Sequence, residues 1–344
     1  MDFERFDARS AADHELEEVT ELLGAIDLFD RPDGPHATRL LLAELRNPVA
    51  EPEVERRLWL AREAGELVAA AWLHLPRDKE QLIVVQVRIR PDLRRRGMGR
   101  RFADALIPEL QAIGRSQVLG TVPSNSGFEA WCVAMGMKPA SRFVRQRLRL
   151  AEIEPGHWDV PDPLGYRMVA WTGAAPEEIL ASYAMARRAI NDQVMGGLDT
   201  REPDWTPELV RAMEAEAAES GTEIWAVAAV HEDSGEVAGM TDLYISAAQP
   251  ELGLQRYTAV VRGHRGHGLG LAMKAAQLRR LAAERPGLRE VTTQTGDLEH
   301  MAPISRELGF QDLGTSVHLV AELAELASDQ LGGPMTPASS PRVC

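Results

Sequence analysis

Residues 87–102 of the chain read VRIRPDLRRRGMGRRF. A β-rich run, LIVVQVRI, ends inside this stretch; three arginines then precede Gly97 and Gly99, and apolar residues recur at helical spacing from Phe102 to Ile113. This order predicts a strand, a glycine loop and the first turn of a helix. Backbone N–H groups converge at such a helix N-terminus, and arginine side chains bind phosphate oxygens in bidentate fashion. The stretch therefore predicts an anion site.

The arrangement occurs twice. Residues 259–274 read AVVRGHRGHGLGLAMK, and Gly268 lies 171 positions after Gly97, close to half of the 344 residues. Before each loop, a tryptophan-containing apolar strand runs through a glycine turn into a second strand. After it come a helix, a short strand, a helix that ends at Gly and a last extended segment. We predict two α+β domains of one plan, at 1–152 and 166–327, with a semi-rigid linker at 153–165 and a disordered tail at 328–344.

Composition argues against several classes of protein. The net charge of −14 disfavours general nucleic-acid binding, and no run of about 18 apolar residues occurs, so no membrane span is predicted. The acidic N-terminal sequence does not resemble a signal peptide, and only two cysteines occur, so we expect a cytoplasmic protein without a disulfide framework. No Cys/His cluster has the spacing of zinc ligands, so no metal is predicted. Cys132 is interpreted as a small core residue.

The glycine loops do not match two common nucleotide-binding motifs. Neither has the GxxxxGK[ST] spacing of a P-loop, and the third Gly or Ala of a Rossmann fingerprint is replaced by Phe102 in one half and Met273 in the other. Both loops instead read R-x-x-G-x-G, at 94–99 and 265–270. A solvated arginine face with ordinary turn glycines is one interpretation of this pattern.

The other interpretation is a family resemblance. The two loops resemble the pyrophosphate-binding motif of the GNAT N-acyltransferase superfamily, and they occupy equivalent places in an internal repeat that covers nearly the whole chain. The resemblance implies two tandem GNAT domains, each a mixed, mostly antiparallel sheet flanked by helices. It also implies acetyl-CoA as the cofactor.

In that family the strand before the loop splays from its neighbour. One backbone N–H of this strand polarises the thioester carbonyl, and a group two residues further on pairs with pantetheine. Carried over to this chain, the resemblance implies cofactor-binding residues in both halves: Val87, Ile89, Arg94, Arg95, Arg96, Gly97, Met98, Gly99, Arg100 and Asn125 in the first, and Thr258, Val260, Arg265, Gly266, His267, Gly268, Leu269 and Gly270 in the second.

The chain departs from the family at its proton-transfer groups. Many GNAT enzymes have a Glu six residues before the pantetheine-pairing residue, where this chain has Ile83 and Leu254. Many also have a Tyr four residues before the Gly of the closing motif, where this chain has Cys132 and Ser305. The usual base and acid are therefore missing from both halves, and an Asn found after the next strand is matched by Asn125 in the first half alone.

Carboxylates in the predicted acceptor segments are candidate replacements. In the second half we expect Asp192, Asp199 and Glu202 to serve catalysis together with the backbone N–H of Thr258, and Asn191 and Trp205 to contact the acceptor. The first half offers Asp27, Asp30, Asp33 and His36 in the corresponding segment. For any single one of these residues, the alternative is an ordinary acidic surface loop.

The sequence thus predicts an acyl-CoA-dependent N-acetyltransferase whose acceptor is a primary amine of a small molecule, such as an amino sugar or a specialised-metabolite amine, attacking directly in a ternary complex. A protein-lysine acetyltransferase and a catalytically silent CoA- or ligand-binding protein are the alternatives. We expect the second half to be catalytic, because its acceptor segment is longer and Pro108 lies inside the loop helix of the first half. The acceptor, the acyl length and the oligomeric state are left open.

Overall fold

The computed structural model describes residues 1–8, 10–30, 54–77, 79–154, 156–192, 203–296 and 299–326. Four predicted site residues, Asp33, His36, Asp199 and Glu202, lie outside this described part of the chain. The predicted disordered tail at 328–344 lies outside it as well.

The strands occur in the same order in the two halves, as the repeat predicts, and a helix follows the glycine loop in each half. The strands of the first half are β1 Asp2–Phe6, β2 Val54–Glu63, β3 Glu66–Pro76, β4 Leu82–Ile89, β5 Gln117–Pro123 and β6 Lys138–Arg149; those of the second are β7 Tyr166–Thr172, β8 Thr222–His231, β9 Val237–Ser246, β10 Leu252–Val260, β11 Glu290–Thr295 and β12 Gln311–Glu322. The helices are α1 Asp13–Asp30, α2 Met98–Ala112, α3 Gly127–Ala134, α4 Glu177–Arg187, α5 Pro207–Glu219, α6 Leu269–Glu284 and α7 Met301–Glu307. The prediction of an α+β fold with mixed, mostly antiparallel sheets is confirmed.

The twelve strands of the described residues form one sheet, in the order β1-β2-β3-β4-β5-β12-β6-β11-β10-β9-β8-β7. The last strand of each half is exchanged: β12 pairs with β5 of the first half, and β6 pairs with β11 of the second. The exchanged strands also pair with each other, antiparallel, at the centre of the sheet. Each half therefore completes the sheet of the other, and the predicted boundaries at 152 and 166 divide the chain but not the sheet.

In each half, the strand before the glycine loop separates from its parallel neighbour. β4 pairs with β5 only from Leu82 to Val85, and β10 pairs with β11 only from Leu252 to Leu254. On the other side, the N–H groups of Arg90 and Val261 bond to carbonyls of β3 and β9 at 3.0 and 2.9 Å. Backbone N–H groups alternate in direction along a strand, so those of residues 87, 89, 258 and 260 point into the wedge between the separating strands.

The helix after each loop is fixed by apolar packing. Phe102, Leu106 and Leu110 of α2 are buried in one core, and α6 buries Ala275, Leu278 and Leu281 in another. Pro108 lies inside α2, which nevertheless continues to Ala112. No helix in the described ranges is long and apolar enough to cross a membrane.

Candidate functional site

The two glycine loops have the same backbone geometry. Gly97 and Gly268 each precede the first residue of a helix in the left-handed conformation, with φ of 82° and 75°. A Cβ atom added at either glycine would have no atom within 4 Å outside the neighbouring residues of the chain. Each loop therefore presents the N-terminus of α2 or α6 to open space, which is the geometry an anion site requires.

The first arginine of each motif braces its loop. Arg94 Nε donates to the carbonyl of Ile89 at 2.9 Å, and its Nη atoms bind the Asp30 carboxylate at 2.5 and 2.9 Å. In the second half, Arg265 Nε donates to the carbonyl of Val260 at 3.1 Å, and its Nη2 binds the Asp192 carboxylate. The guanidinium, which also suits phosphate, here joins the loop, the wedge strand and the end of the first helical segment in each half, with two bonds to the carboxylate at Arg94 and one at Arg265.

The remaining loop cations differ in their surroundings. Arg95 and Arg96 are exposed and have no carboxylate partner within the described ranges. Arg100 instead pairs with Asp104 on the next turn of α2, at 3.0 Å. In the second half, His267 lies exposed beside the loop, while His264 Nδ1 is 2.9 Å from the hydroxyl of Tyr166. The first loop therefore offers more free positive charge than the second.

The wedge strands themselves also differ. β4 pairs with β3 without interruption, whereas β10 has a β-bulge between Gln255 and Thr258, so that two residues face Asp242 of β9. The Asp242 carboxylate is fully buried and pairs with the fully buried guanidinium of Arg187 at 2.7 Å. Trp205, a predicted acceptor-binding residue, is buried, and its ring centroid lies 4.1 Å from the Arg187 guanidinium carbon.

Asn191 and Asp192 lie in a short 3-10 turn, Arg188–Asp192, that continues α4. Arg188 Nε bonds to the carbonyl of Trp205 at 3.1 Å and lies 2.9 Å from Asp204. Asp192 therefore contacts the loop arginine Arg265, and Trp205 packs against Arg187.

The two positions at which the family's Tyr is missing, Cys132 and Ser305, are buried. The Cys132 thiol is buried, and burial together with the Glu129 carboxylate raises its pKa to about 12, which agrees with a core role. Ser305 accepts a hydrogen bond from Lys274 Nζ at 2.8 Å, and burial lowers the pKa of Lys274 to about 8. On the first wedge, the Asn125 N–H donates to the Glu129 carboxylate at 2.5 Å.

Sequence reasoning missed Arg187, Asp242 and Lys274. A charged residue inside an otherwise apolar element, such as Asp242 in VAGMTDLYIS, was the available signal. Buried charges are rare unless they are paired. Among the described residues, no group of three or more His, Cys, Asp or Glu side chains has the geometry to hold a metal ion.

The chain is similar to known acetyltransferases. Residues 16–132 match the acetyltransferase (GNAT) family. The chain is 27% identical over 242 residues to a mycothiol acetyltransferase of Clavibacter michiganensis subsp. michiganensis, a match that spans 68% of this chain and 71% of the relative.

Solved structures extend the likeness to the whole chain. A tandem GNAT protein from the clavulanic acid biosynthesis pathway, solved without acetyl-CoA, superposes with a TM-score of 0.75 at 25% identity, covering 97% of this chain and 99% of that one. A GCN5-related N-acetyltransferase from Sphaerobacter thermophilus has a TM-score of 0.67 at 18% identity, covering 93% and 96%, and this likeness concerns the fold alone. The resemblance to tandem GNAT proteins is thereby confirmed.

Proposed function

We propose that this chain, which has the tandem GNAT fold, transfers an acetyl group from coenzyme A to a primary amine of a small molecule. The observation that carries the proposal is the repeated combination of an open wedge, two N–H groups aimed into it and a glycine loop with free space at its helix N-terminus. The family match and the mycothiol acetyltransferase relative support acyl transfer in general.

The loop and wedge of each half fit acetyl-CoA, which would supply the activated acyl group. The space at Gly97 and Gly268 suits a phosphate, and exposed Arg95 and Arg96 add positive charge in the first half. The N–H groups of Val260 and Ile89 would pair with the pantetheine arm. The N–H of Thr258 would polarise the thioester carbonyl in the second half, as an oxyanion-type donor.

The acceptor amine must lose a proton before it attacks. If its pKa is that of lysine, about 10.4, neutralising it at pH 7 costs roughly 4.6 kcal/mol. We assign Asp192, with Asp199 and Glu202, to attracting this amine and accepting its proton, a contribution typically of about 10²–10⁴-fold. Asn191 and Trp205 would contact the rest of the acceptor. Asp192 already binds Arg265, so it would also hold the acceptor segment against the loop.

Release of free thiol from acetyl-CoA, measured with a panel of amines, tests the proposal. We expect thiol release with at least one small primary amine, and N-acetylated product of matching amount by mass spectrometry. Turnover only with lysine-containing peptides would favour a protein acceptor. Binding of acetyl-CoA without turnover on any amine or peptide would contradict the proposal and favour a silent ligand-binding protein.

A further inference from the structure

The β-bulge of β10 is closed by side chains and not by the neighbouring strand. Between the pairs Gln255–Leu243 and Thr258–Thr241, β10 has one residue more than β9. The N–H of Tyr257 therefore bonds to the Oδ1 atom of Asp242, at 2.9 Å, in place of a strand carbonyl. An extra residue of this kind bends a strand and re-aims the groups beside it.

Two further side chains satisfy the backbone groups around the bulge. Gln255 Nε2 donates to the carbonyl of Asp242 at 2.6 Å and to Thr241 Oγ1 at 3.0 Å. Thr241 Oγ1 donates to the carbonyl of Tyr257 at 3.1 Å and lies 2.7 Å from Thr258 Oγ1. The network therefore ends on the residue whose N–H faces the wedge.

The second carboxylate oxygen of Asp242 is bound by a buried arginine, Arg187. This Oδ2 atom accepts a hydrogen bond from Nη1 of Arg187, the last residue of α4, at 2.7 Å, and the same nitrogen lies 3.0 Å from the Tyr183 hydroxyl. Among the residues that the structure describes, the Nε and Nη2 atoms of Arg187 have no hydrogen-bond partner. The rings of Trp205, Tyr183 and Tyr257 surround the guanidinium at 4.1 to 5.7 Å, a cation–π cage that holds it in place.

Consecutive N–H groups of an extended strand point in opposite directions. Fixing the Tyr257 N–H toward Asp242 therefore fixes the Thr258 N–H toward the wedge. We infer that the buried Arg187–Asp242 pair is a positioning device that aims the Thr258 N–H at the acyl carbonyl, an inference that rests on the proposed acetyl transfer. Because the cage includes Trp205, the same device joins the acceptor segment to the reacting strand.

In the described part of the first half, no buried ion pair holds a bulge beside the glycine loop. The register of the strand pairs places Ala71 and Trp72 of β3 where β9 has Thr241 and Asp242. Without an acceptor side chain and without a bulge, the N–H of Val87 is set by the regular strand alone. A buried ion pair thus orients the backbone N–H that faces the acyl carbonyl in the second half, at Thr258, but not in the first, at Val87.

A double substitution separates positioning from stability. Asp242→Leu alone leaves a buried, unpaired guanidinium and should unfold the protein or lower its melting temperature strongly. Arg187→Met combined with Asp242→Leu replaces the pair by apolar side chains, which often restores stability. We expect the double variant to melt near the wild type, to bind acetyl-CoA with a Kd within about threefold, and to lose at least tenfold in kcat.

Hydrogen exchange and a control variant complete the experiment. In the double variant the Tyr257 amide should exchange at least tenfold faster, because its acceptor is gone. The control is Glu214→Gln, which weakens another buried carboxylate, bonded to the Ala175 N–H at 2.8 Å and to Arg211, and should keep kcat within twofold.

An unchanged kcat in the double variant, an equal loss in the control, or unchanged exchange at Tyr257 would each overturn the inference. If the wild type transfers no acetyl group to any amine, the proposed function fails. The exchange rate at Tyr257 then decides whether the pair holds the bulge.

Discussion

In the first half, β4 pairs with β3 without a break, and the loop position before Arg96 is occupied by Arg95 at a φ of 62°. In the second half, β10 is bulged, and the corresponding loop position is Gly266, at a φ of 82°. A non-glycine residue in this conformation costs about 1–2 kcal/mol. The first half thus combines a strained, strongly basic loop with a regular strand, and the second a relaxed loop with a strand shaped by buried polar groups.

The two halves differ in the features needed for acyl transfer more than in those needed to bind a phosphate-bearing ligand. Exposed arginines and an open helix N-terminus suffice to bind a phosphate-bearing ligand, and both halves have the latter. Acyl transfer also needs a donor aimed at the developing oxyanion and groups that handle the amine proton. We therefore propose that both halves bind coenzyme A and that the second half, with Thr258, Asp242 and Asp192, performs the acyl transfer.

The strongest test of this assignment places a carboxylate in each loop. Gly97 and Gly268 share a left-handed φ and equal open space, so Gly97→Glu and Gly268→Glu form a matched pair. Gly268→Glu should lower turnover at least 100-fold while the fold stays intact, because the carboxylate repels the phosphate. Gly97→Glu should reduce turnover no more than about threefold.

Steady-state thiol release and calorimetric titration with acetyl-CoA measure these effects, and the two Gly→Ala variants correct for backbone strain. Each Glu variant should lose one of two binding sites. If Gly97→Glu alone abolishes activity, the first half is catalytic and the acidic residues near Asp30 become the candidate acceptor site.

A second test concerns Lys274, which the first half replaces by Ala103 at the equivalent position. Burial lowers the pKa of Lys274 to about 8 in the folded protein. Between about pH 8 and 10.5 the unfolded chain therefore binds a proton that the folded chain lacks, so the free energy of unfolding should rise with pH, by about 3 kcal/mol in all. Lys274→Met should remove this rise.

Urea unfolding at several pH values across this range measures the difference between wild type and variant. Lys138→Met is the control, because Lys138 is an exposed lysine with only a 3.3 Å contact to Glu325. Equal pH slopes in the wild type and Lys274→Met would show that Lys274 is not the titrating group.

The smallest effects are expected at the two arginine-carboxylate braces. Asp30 and Asp192 occupy corresponding places, and both ion pairs are partly exposed, so Asp30→Asn and Asp192→Asn should each cost less than about 1 kcal/mol of stability. The two variants should differ in their kinetics. Asp192→Asn should lower kcat/KM for the amine at least tenfold, and Asp30→Asn should leave it within twofold. If kcat/KM is the same in both variants, Asp192 only holds its loop and does not act on the amine.

Much of this comparison was predictable from the sequence. The repeated R-x-x-G-x-G motif and its strand and helix flanks gave the fold, the duplication and the glycine loops, because each depends on residues close together in the chain. The brace formed by Arg94 was not predictable, because a guanidinium binds a carboxylate and a phosphate with the same geometry.

The exchanged strands and the buried pair were beyond sequence reasoning for a different reason. Because the two halves share one pattern, β6 could pair with β5 or with β11. The sequence pattern does not determine which of these pairings forms. Arg187 and Asp242 are 55 positions apart, and the bulge that joins them adds a single residue to β10. The charge of Asp242 in an apolar strand signals a buried partner, but nothing in the local sequence identifies that partner as Arg187.

Because the last strands are exchanged, β5 is synthesised long before its partner strand β12. Gln117, in the strand β5, is bonded to Glu322 of β12, 205 positions later. At roughly 5–20 residues per second, a ribosome needs about 10–40 s to supply that partner. Throughout this interval β5 emerges with its edge unpaired by its native neighbour, a condition that invites aggregation. β11 depends in the same way on β6 of the first half, so a half produced alone would leave β5 or β11 without its native neighbour.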